Sequence, residues 1–145
     1  MASRRKARIL AFQALYSWDA HYSQTKVTAI PEGLLDFSWA GDGPLDEEMT
    51  AFSRLLVTGT IENIVSIDSI IGKHLENWEL KRLNRVDLAV LRMSSYTLMF
   101  QTDMPPSIVI DEAIDISKEF GTDDSYRFVN GVLDSIRKTL ENAGQ

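Results

Sequence analysis

Between Asn84 and Phe100 the chain carries a stretch that only a helix packed on more than one side can accommodate. Val86, Ala89, Val90, Met93, Thr97 and Phe100 recur at helical spacing along one stripe, and Leu88, Leu91, Ser95 and Leu98 along another. A surface helix needs a single apolar stripe, whereas a helix with two belongs in the middle of a bundle. Other helices must cover it, and the remaining sequence supplies them. The pattern is helical nearly throughout, with no convincing period-2 strand, so the expected fold class is all-α: a compact bundle of about seven helices.

The first helix is expected from about Ser3, a plausible N-cap, to Tyr22, with Leu10, Ala11, Ala14, Leu15, Trp18 and Tyr22 as its core stripe. Residues 23–44 are irregular, holding Pro31, Gly33, Gly41, Gly43 and Pro44, and their Leu34, Leu35, Phe37 and Trp39 suit a short helix packed onto the domain. Asp-Gly-Pro at 42–44 reads as a turn. A long helical stretch follows from Leu45 to about Asn77, with Phe52, Leu55, Leu56, Ile64, Ile67, Ile70, Ile71 and Leu75 on its apolar faces and Gly59 marking a bend or a close contact. Asn77 to Leu83 reads as a tight connection. Pro105 and Pro106 open the next helix, whose Val109, Ala113, Ile116 and Phe120 share a face and whose Gly121 suits a left-handed C-cap. Thr122 or Asp123 is placed to cap the last helix, with Val129, Val132, Leu133, Ile136 and Leu140 as its stripe. No composition break divides the chain, so residues 1–145 read as one domain.

Several function classes are excluded early. With no cysteine in 145 residues, neither a disulfide framework nor a thiolate metal site can be built. His21 and His74 are isolated, and there is no metal-protease spacing, Gly-rich phosphate loop or nucleophile elbow. No catalytic site, cofactor or metal is expected. The apolar stretches after the basic N-terminus are broken by Gln13 and Asp19, which does not fit a secretory signal, and no run approaches the ~20 residues of a membrane helix. A soluble, cytoplasmic protein is the expectation.

Charge is distributed unevenly. The net charge is -6, which argues against indiscriminate coating of nucleic acid. Yet Arg4, Arg5, Lys6 and Arg8 crowd the N-terminus, while Asp111, Glu112, Asp115, Glu119, Asp123 and Asp124 gather against a single Lys118. Such asymmetry suggests two surfaces with different partners. At 100° per residue, Arg5, Arg8, Phe12 and Tyr16 fall within a strip roughly 80° wide. Guanidinium groups pair with phosphate and aromatic rings stack on bases, so the strip has the make-up of a single-stranded RNA site. The alternative is two aromatics half-buried at the core edge beside solvent-facing arginines. Arg85, Arg92 and Tyr96 offer a second basic-aromatic surface, or else Arg92 is ion-paired with an acidic residue on a neighbouring helix. The carboxylates of Asp111, Asp115 and Glu119 repeat at i, i+4, and a solvated or partner-facing surface suits them better than a cation. Gly131 inside a helical pattern points to close helix approach, since glycine costs about 1 kcal/mol there relative to alanine. Asn130 reads as a hydrogen-bonding partner for a neighbouring backbone.

At these residues the sequence resembles the NusB family. Arg4-Arg5-Lys6-Ala7-Arg8 with Gln13-Ala14-Leu15-Tyr16-Ser17-Trp18 is similar to the family's opening helix, as are Asn77-Trp78, Leu83, Val86-Asp87 and Val90-Leu91-Arg92 to its centre. Pro105, Val109-Ile110-Asp111-Glu112-Ala113-Ile114 and Lys118-Glu119-Phe120-Gly121 resemble the family stretch P…VAINEAIELAKxFG. Asp124-Ser125 and Phe128-Val129-Asn130-Gly131-Val132-Leu133-Asp134 resemble its C-terminal signature. The resemblance covers nearly the whole chain outside residues 23–44.

It implies two helical subdomains and a role in antitermination of transcription, particularly of ribosomal RNA. The partners implied are single-stranded boxA-type RNA, the ribosomal small-subunit protein NusE and the transcription elongation complex. By position, Arg4, Arg5, Lys6, Arg8 and Tyr16 fall on the RNA-binding helix and Arg92 on its neighbour. Asp124 falls on the NusE and RNA surface, and Asp111, Asp115 and Glu119 join it as the expected partner-binding face. Asp111 stands where the family usually has Asn, and the acidic balance suits a basic ribosomal partner better than RNA alone. Two rival readings remain: an interaction module of an RNA-modifying enzyme, disfavoured by the absence of a methyl-donor motif, and a helical protein-interaction scaffold without direct RNA binding.

Overall fold

A computed structural model describes residues 4–41, 46–76 and 79–143. Among them are six α-helices and three short 3-10 turns, with no strand. The α-helices are α1 (Arg4–Thr25), α2 (Glu47–Glu62), α3 (Ile64–Lys73), α4 (Arg85–Phe100), α5 (Pro106–Phe120) and α6 (Ser125–Ala143). The expected all-α class holds.

The doubly apolar segment is the axis of the molecule. Every residue of α4 from Asp87 to Leu98 is buried, and α4 packs against α1 and α2 on one side and α5 and α6 on the other, with α3 alongside. Its start is fixed locally: the Asn84 side chain accepts from the Asp87 N–H at 2.8 Å while its amide donates to the Asp87 carboxylate at 3.0 Å. This reciprocal pairing satisfies groups a helix terminus leaves open. Asp87 is itself buried, and burial pushes its carboxyl up against the opposing hydrogen bonds of Ser125 and Asn84. Asp46 caps α2 in the same way, accepting from the Met49 N–H at 3.0 Å, with Glu47 and Glu48 in the first turn where the helix dipole favours them. The expected caps and turn at Ser3, 42–44 and Asn77-Trp78 lie outside the described residues.

The stretch expected as one long helix breaks at Asn63, where α2 and α3 meet at 74°. The Asn63 amide donates to the Gly59 carbonyl at 2.8 Å, and its own N–H also turns back to Gly59. Leu55 lies exposed rather than in the core. Residues 34–40 form two 3-10 turns instead of one short helix. Leu34 and Phe37 are buried, while Trp39 stays on the rim, its indole N–H donating to Gln13 at 2.9 Å.

The three notable glycines each resolve differently. A side chain at Gly59 would collide with the ring of Tyr96, so close approach of α2 to α4 requires glycine there. Gly121 ends α5 in an extended conformation (φ -95, ψ -168), not the expected left-handed one. It is glycine because Ser125 and the Ser117 carbonyl press against it. That crowding comes from the turn before α6, where Thr122 N–H donates to Ser125 Oγ at 2.9 Å and Ser125 N–H to the Thr122 carbonyl at 3.1 Å. The pair closes the turn, and Asp124, rather than Thr122 or Asp123, is the residue whose carbonyl begins α6. Gly131 has nothing within 4 Å of where a side chain would begin, so close helix approach is not the reason for it.

The two helical glycines should respond oppositely to Ala. Gly59→Ala forces Tyr96 to move and should cost about 1–3 kcal/mol, whereas Gly131→Ala should add roughly 0.5–1 kcal/mol through helix propensity alone. Urea unfolding of both variants checks this; equal effects of one sign would contradict the packing described.

Candidate nucleic-acid interface

The N-terminal half of α1 lies between α2 and α5. Ser53 on α2 donates to the Ala7 carbonyl at 2.8 Å, and on the other flank Phe12 meets Phe120 with ring centroids 5.3 Å apart. These contacts decide which members of the expected strip face outward. Arg4, Arg5 and Lys6 are exposed and Tyr16 is 44% exposed, whereas Phe12 is buried in the core. A buried ring offers no stacking platform, so Phe12 leaves the strip.

Arg8 is a second departure. It is 8% exposed, with Nη2 3.8 Å from Met104 Sδ and Nη1 3.9 Å from Glu112. Burial, chiefly, lowers its pKa from the ordinary arginine value, with Glu112 opposing. Arg4 and Arg8 both lie over the Phe52 ring, at 4.1 and 5.5 Å. The arginine stem thus packs as an apolar group, and truncating Arg8 removes packing as well as charge.

The two charged surfaces expected to be separate are in fact adjacent. Arg5 Nη1 lies 3.8 Å from Asp115, and Arg8 reaches Glu112 on the same helix. Both partners of the Arg5 pair are near half exposed, so water screens the attraction. Asp111, Glu119 and Asp124 remain exposed, with Lys118 resting 4.9 Å over the Tyr126 ring. Among the described residues no group of carboxylates or histidines gathers as a metal site would require.

Arg92 does not belong to a basic surface. It is 4% exposed, and all three of its guanidinium nitrogens are engaged. Nε and Nη2 donate to the two oxygens of Asp68 at 2.9 Å each, and Nη1 donates to Asp19 at 2.7 Å. The stacked rings of Trp18 and Tyr22, 4.5 Å apart, sit 5.9 and 5.5 Å from its guanidinium carbon. Burial works against the charge, but the two carboxylates outweigh it and raise its pKa. Arg85 completes the cluster by donating to the second oxygen of Asp19 at 2.8 Å. Tyr96 is buried against Gly59 rather than displayed. The salt-bridge alternative is the one the structure supports, and Arg92 is withdrawn from the RNA-contacting set.

Asp19 and Asp68 were not singled out from sequence. Asp19 follows Trp18 and stands four residues after Leu15, so it interrupts the apolar face of α1 much as Arg92 interrupts that of α4. Two lone opposite charges on apolar faces are the signal that was available.

Comparison with known proteins identifies the family and the fold. The model of the NusB family matches residues 5–138. The transcription antitermination protein NusB of Treponema denticola is 53% identical over 135 residues, covering 92% of this chain and 95% of that one. The structure of T. maritima NusB superposes with a TM-score of 0.80 at 37% identity, covering 94% of this chain and 92% of that one. A structure of antitermination factors NusB and NusE in complex with dsRNA gives a TM-score of 0.78 at 28% identity, covering 94% and 96%.

The buried cluster makes a quantitative expectation. Asp19→Ala strips a partner from Arg92 in a site closed to water and should cost about 3–5 kcal/mol. Replacing the whole set at once, Asp19→Leu with Asp68→Leu and Arg92→Met, should cost far less, because no charge is left stranded. Chemical denaturation of the two variants decides it: a triple variant no more stable than the single one would show that the ions themselves hold the helices.

Proposed function

The chain belongs to the NusB family, and from that premise we propose that it is a non-catalytic transcription antitermination factor. In this reading it acts in the cytoplasm, as one domain, within the transcription elongation complex. It binds boxA-type RNA together with the ribosomal protein NusE. The observation that carries the RNA part is the display of Arg4, Arg5 and Lys6 at one end of α1, with Tyr16 exposed further along the same helix. Three adjacent cations outward on a chain of net charge -6 are a local feature of the kind that binding to phosphate needs. An unpaired, flexible strand suits them, since exposed Tyr16 has a ring face to offer a base. Asp111, Glu119 and Asp124 supply an acidic surface beside it, suited to a basic ribosomal protein. No described single helix is long and apolar enough to cross a membrane, which fits the assignment.

A scaffold that binds protein without touching RNA is the second reading, and one feature favours it. Asp115 and Glu112 lie against Arg5 and Arg8, so part of the basic strip is already met by carboxylates of the same chain.

Removing the three outward cations together, Arg4→Ala, Arg5→Ala and Lys6→Ala, should weaken binding to a boxA-type oligonucleotide with helicity and melting unchanged. The log–log salt slope should shrink by roughly 0.7 for each phosphate of a single strand that is no longer neutralised. An affinity that does not change in the folded variant selects the scaffold reading. For the acidic face, Asp111→Asn, Glu119→Gln and Asp124→Asn together should slow association with NusE and flatten its salt dependence. RNA binding by the isolated variant should stay the same or improve slightly. Stopped-flow mixing at two salt concentrations measures the first and an RNA titration the second; normal NusE association with impaired RNA binding would reverse the assignment of the two surfaces.

A further inference from the structure

Where the turn between α4 and α5 meets α1, a buried cation is held by a sulfur atom. Arg8 is buried, yet among the described residues no oxygen hydrogen-bonds to its guanidinium. The acceptor it has is the thioether of Met104, with Sδ 3.8 Å from Nη2. The carboxylate oxygen paired with it, Glu112 Oε2, stands 3.9 Å from Nη1 and is itself buried without a hydrogen-bond partner among the described residues. A thioether is a weak acceptor, and a buried charge whose donors go largely unused is costly to the fold. The contrast with Arg92 is plain, since all three of its nitrogens donate to carboxylate oxygens.

A second, independent feature concerns access to Met104. Its N–H donates to the Gln101 carbonyl at 3.0 Å, which fixes the turn, and its side chain borders an open cleft of about 180 Å³. Leu98, Pro106 and Leu140 form the apolar part of that cleft, and Thr102, Arg137 and Glu141 the polar part. A water molecule takes up roughly 30 Å³ of liquid, so a small peroxide has room to enter. Met49 and Met93, by contrast, are buried in the core. The distance to Arg8 also suits an oxidised sulfur. An oxygen bonded to Sδ at about 1.5 Å can lie about 2.9 Å from Nη2 with an angle of roughly 115° at the oxygen, which is good hydrogen-bond geometry. The flexible methionine side chain can turn the oxygen to that position.

We propose that Met104 is a redox modification site: a hydroperoxide entering the cleft oxidises its thioether to the sulfoxide, whose oxygen accepts the hydrogen bond that Arg8 lacks. In that step the O–O bond of the peroxide breaks and an S–O bond forms. The sulfur loses two electrons, and the peroxide leaves as the alcohol, or as water when hydrogen peroxide is the oxidant. Oxidation of methionine usually puts an unwelcome polar group into an apolar site. Here the polar group meets an unsatisfied cation, so the modification tightens the N-terminal turns of α1 against the α4–α5 turn. The state is reversible, because sulfoxide reductases return methionine sulfoxide to the thioether. None of this depends on the RNA reading above.

The test treats the full chain with graded hydrogen peroxide and follows it by peptide mass spectrometry and by NMR with labelled methionine methyl groups. Met104 should be converted before Met49 and Met93, with helicity retained. Amide hydrogen exchange around Ala7–Leu10 should then slow by about tenfold, as expected if a charged donor gains a strong acceptor. A sulfoxide reductase should restore the original rate. Met104→Leu, a swap that a packed site tolerates, should abolish the response to peroxide. Met104→Gln, whose amide oxygen imitates the sulfoxide, should slow exchange without any oxidant. Arg8→Met should leave Met104 oxidisable but remove the slowing. Should that variant not fold, the Arg8 Nε–H signal of the unaltered chain decides, and a signal unmoved by oxidation overturns the proposal. Conversion of Met49 or Met93 ahead of Met104 would overturn it too, as would exchange around Ala7–Leu10 that quickens on oxidation.

Discussion

The pairing of Arg92 with Asp19 and Asp68 is the interaction on which the arrangement of the helices turns. Each of the three charges comes from a different helix, α4, α1 and α3, and each is useless to the fold without the others. A guanidinium that is 4% exposed cannot reach water, so α1 and α3 must approach α4 in the one register that brings both carboxylates to it. Hydrophobic contact alone leaves such a register loosely specified, since leucine and isoleucine stripes tolerate sliding by a fraction of a turn. The bidentate geometry at Asp68 does not. The cluster is therefore better understood as fixing geometry than as adding stability, because the cost of dehydrating three ions offsets most of their attraction.

That geometry sets what the surface can do. With α1 held against α4, its N-terminal turns fall between α2 and α5, which buries Phe12 and most of Arg8 and leaves Arg4, Arg5 and Lys6 outward. The same packing brings α5 alongside, so the acidic and basic parts of the molecule share a border at Arg5–Asp115 and Arg8–Glu112. Any ligand of the α5 carboxylates and any ligand of the α1 cations would thus act on neighbouring charges. The coupling is strongest at Asp115 and Glu112, which lie against Arg5 and Arg8, and falls off with distance from that border.

Particular elements show how far the sequence could be read. The α4 segment declared its central position, because two apolar stripes on one helix have no other stable placement. The stripes of α1 and α6 were equally legible, and Asn84 could cap α4 through contacts only three residues apart. The break at Asn63 was not legible: the apolar pattern runs through it, and only the structure shows the Asn63 side chain and N–H turned back onto the Gly59 carbonyl. Gly121 and Gly131 were misread for a related reason. Glycine signals that space or a special backbone is needed, and whether the neighbour is a side chain, a carbonyl or nothing at all is a tertiary matter.

The sequence by itself determined the all-helical class, the helix that must lie at the centre and the family resemblance. All of these rest on periodicity, residue type and local spacing, which a linear chain displays directly. Tertiary structure alone decided which charges are partners and which are surface. Arg5 and Arg92 carry the same group and sit on amphipathic helices alike, yet one faces solvent beside Asp115 and the other is enclosed by Asp19 and Asp68. The distinction depends on residues dozens of positions away, brought close only when the helices pack, and on the burial that makes an ion pair strong or negligible.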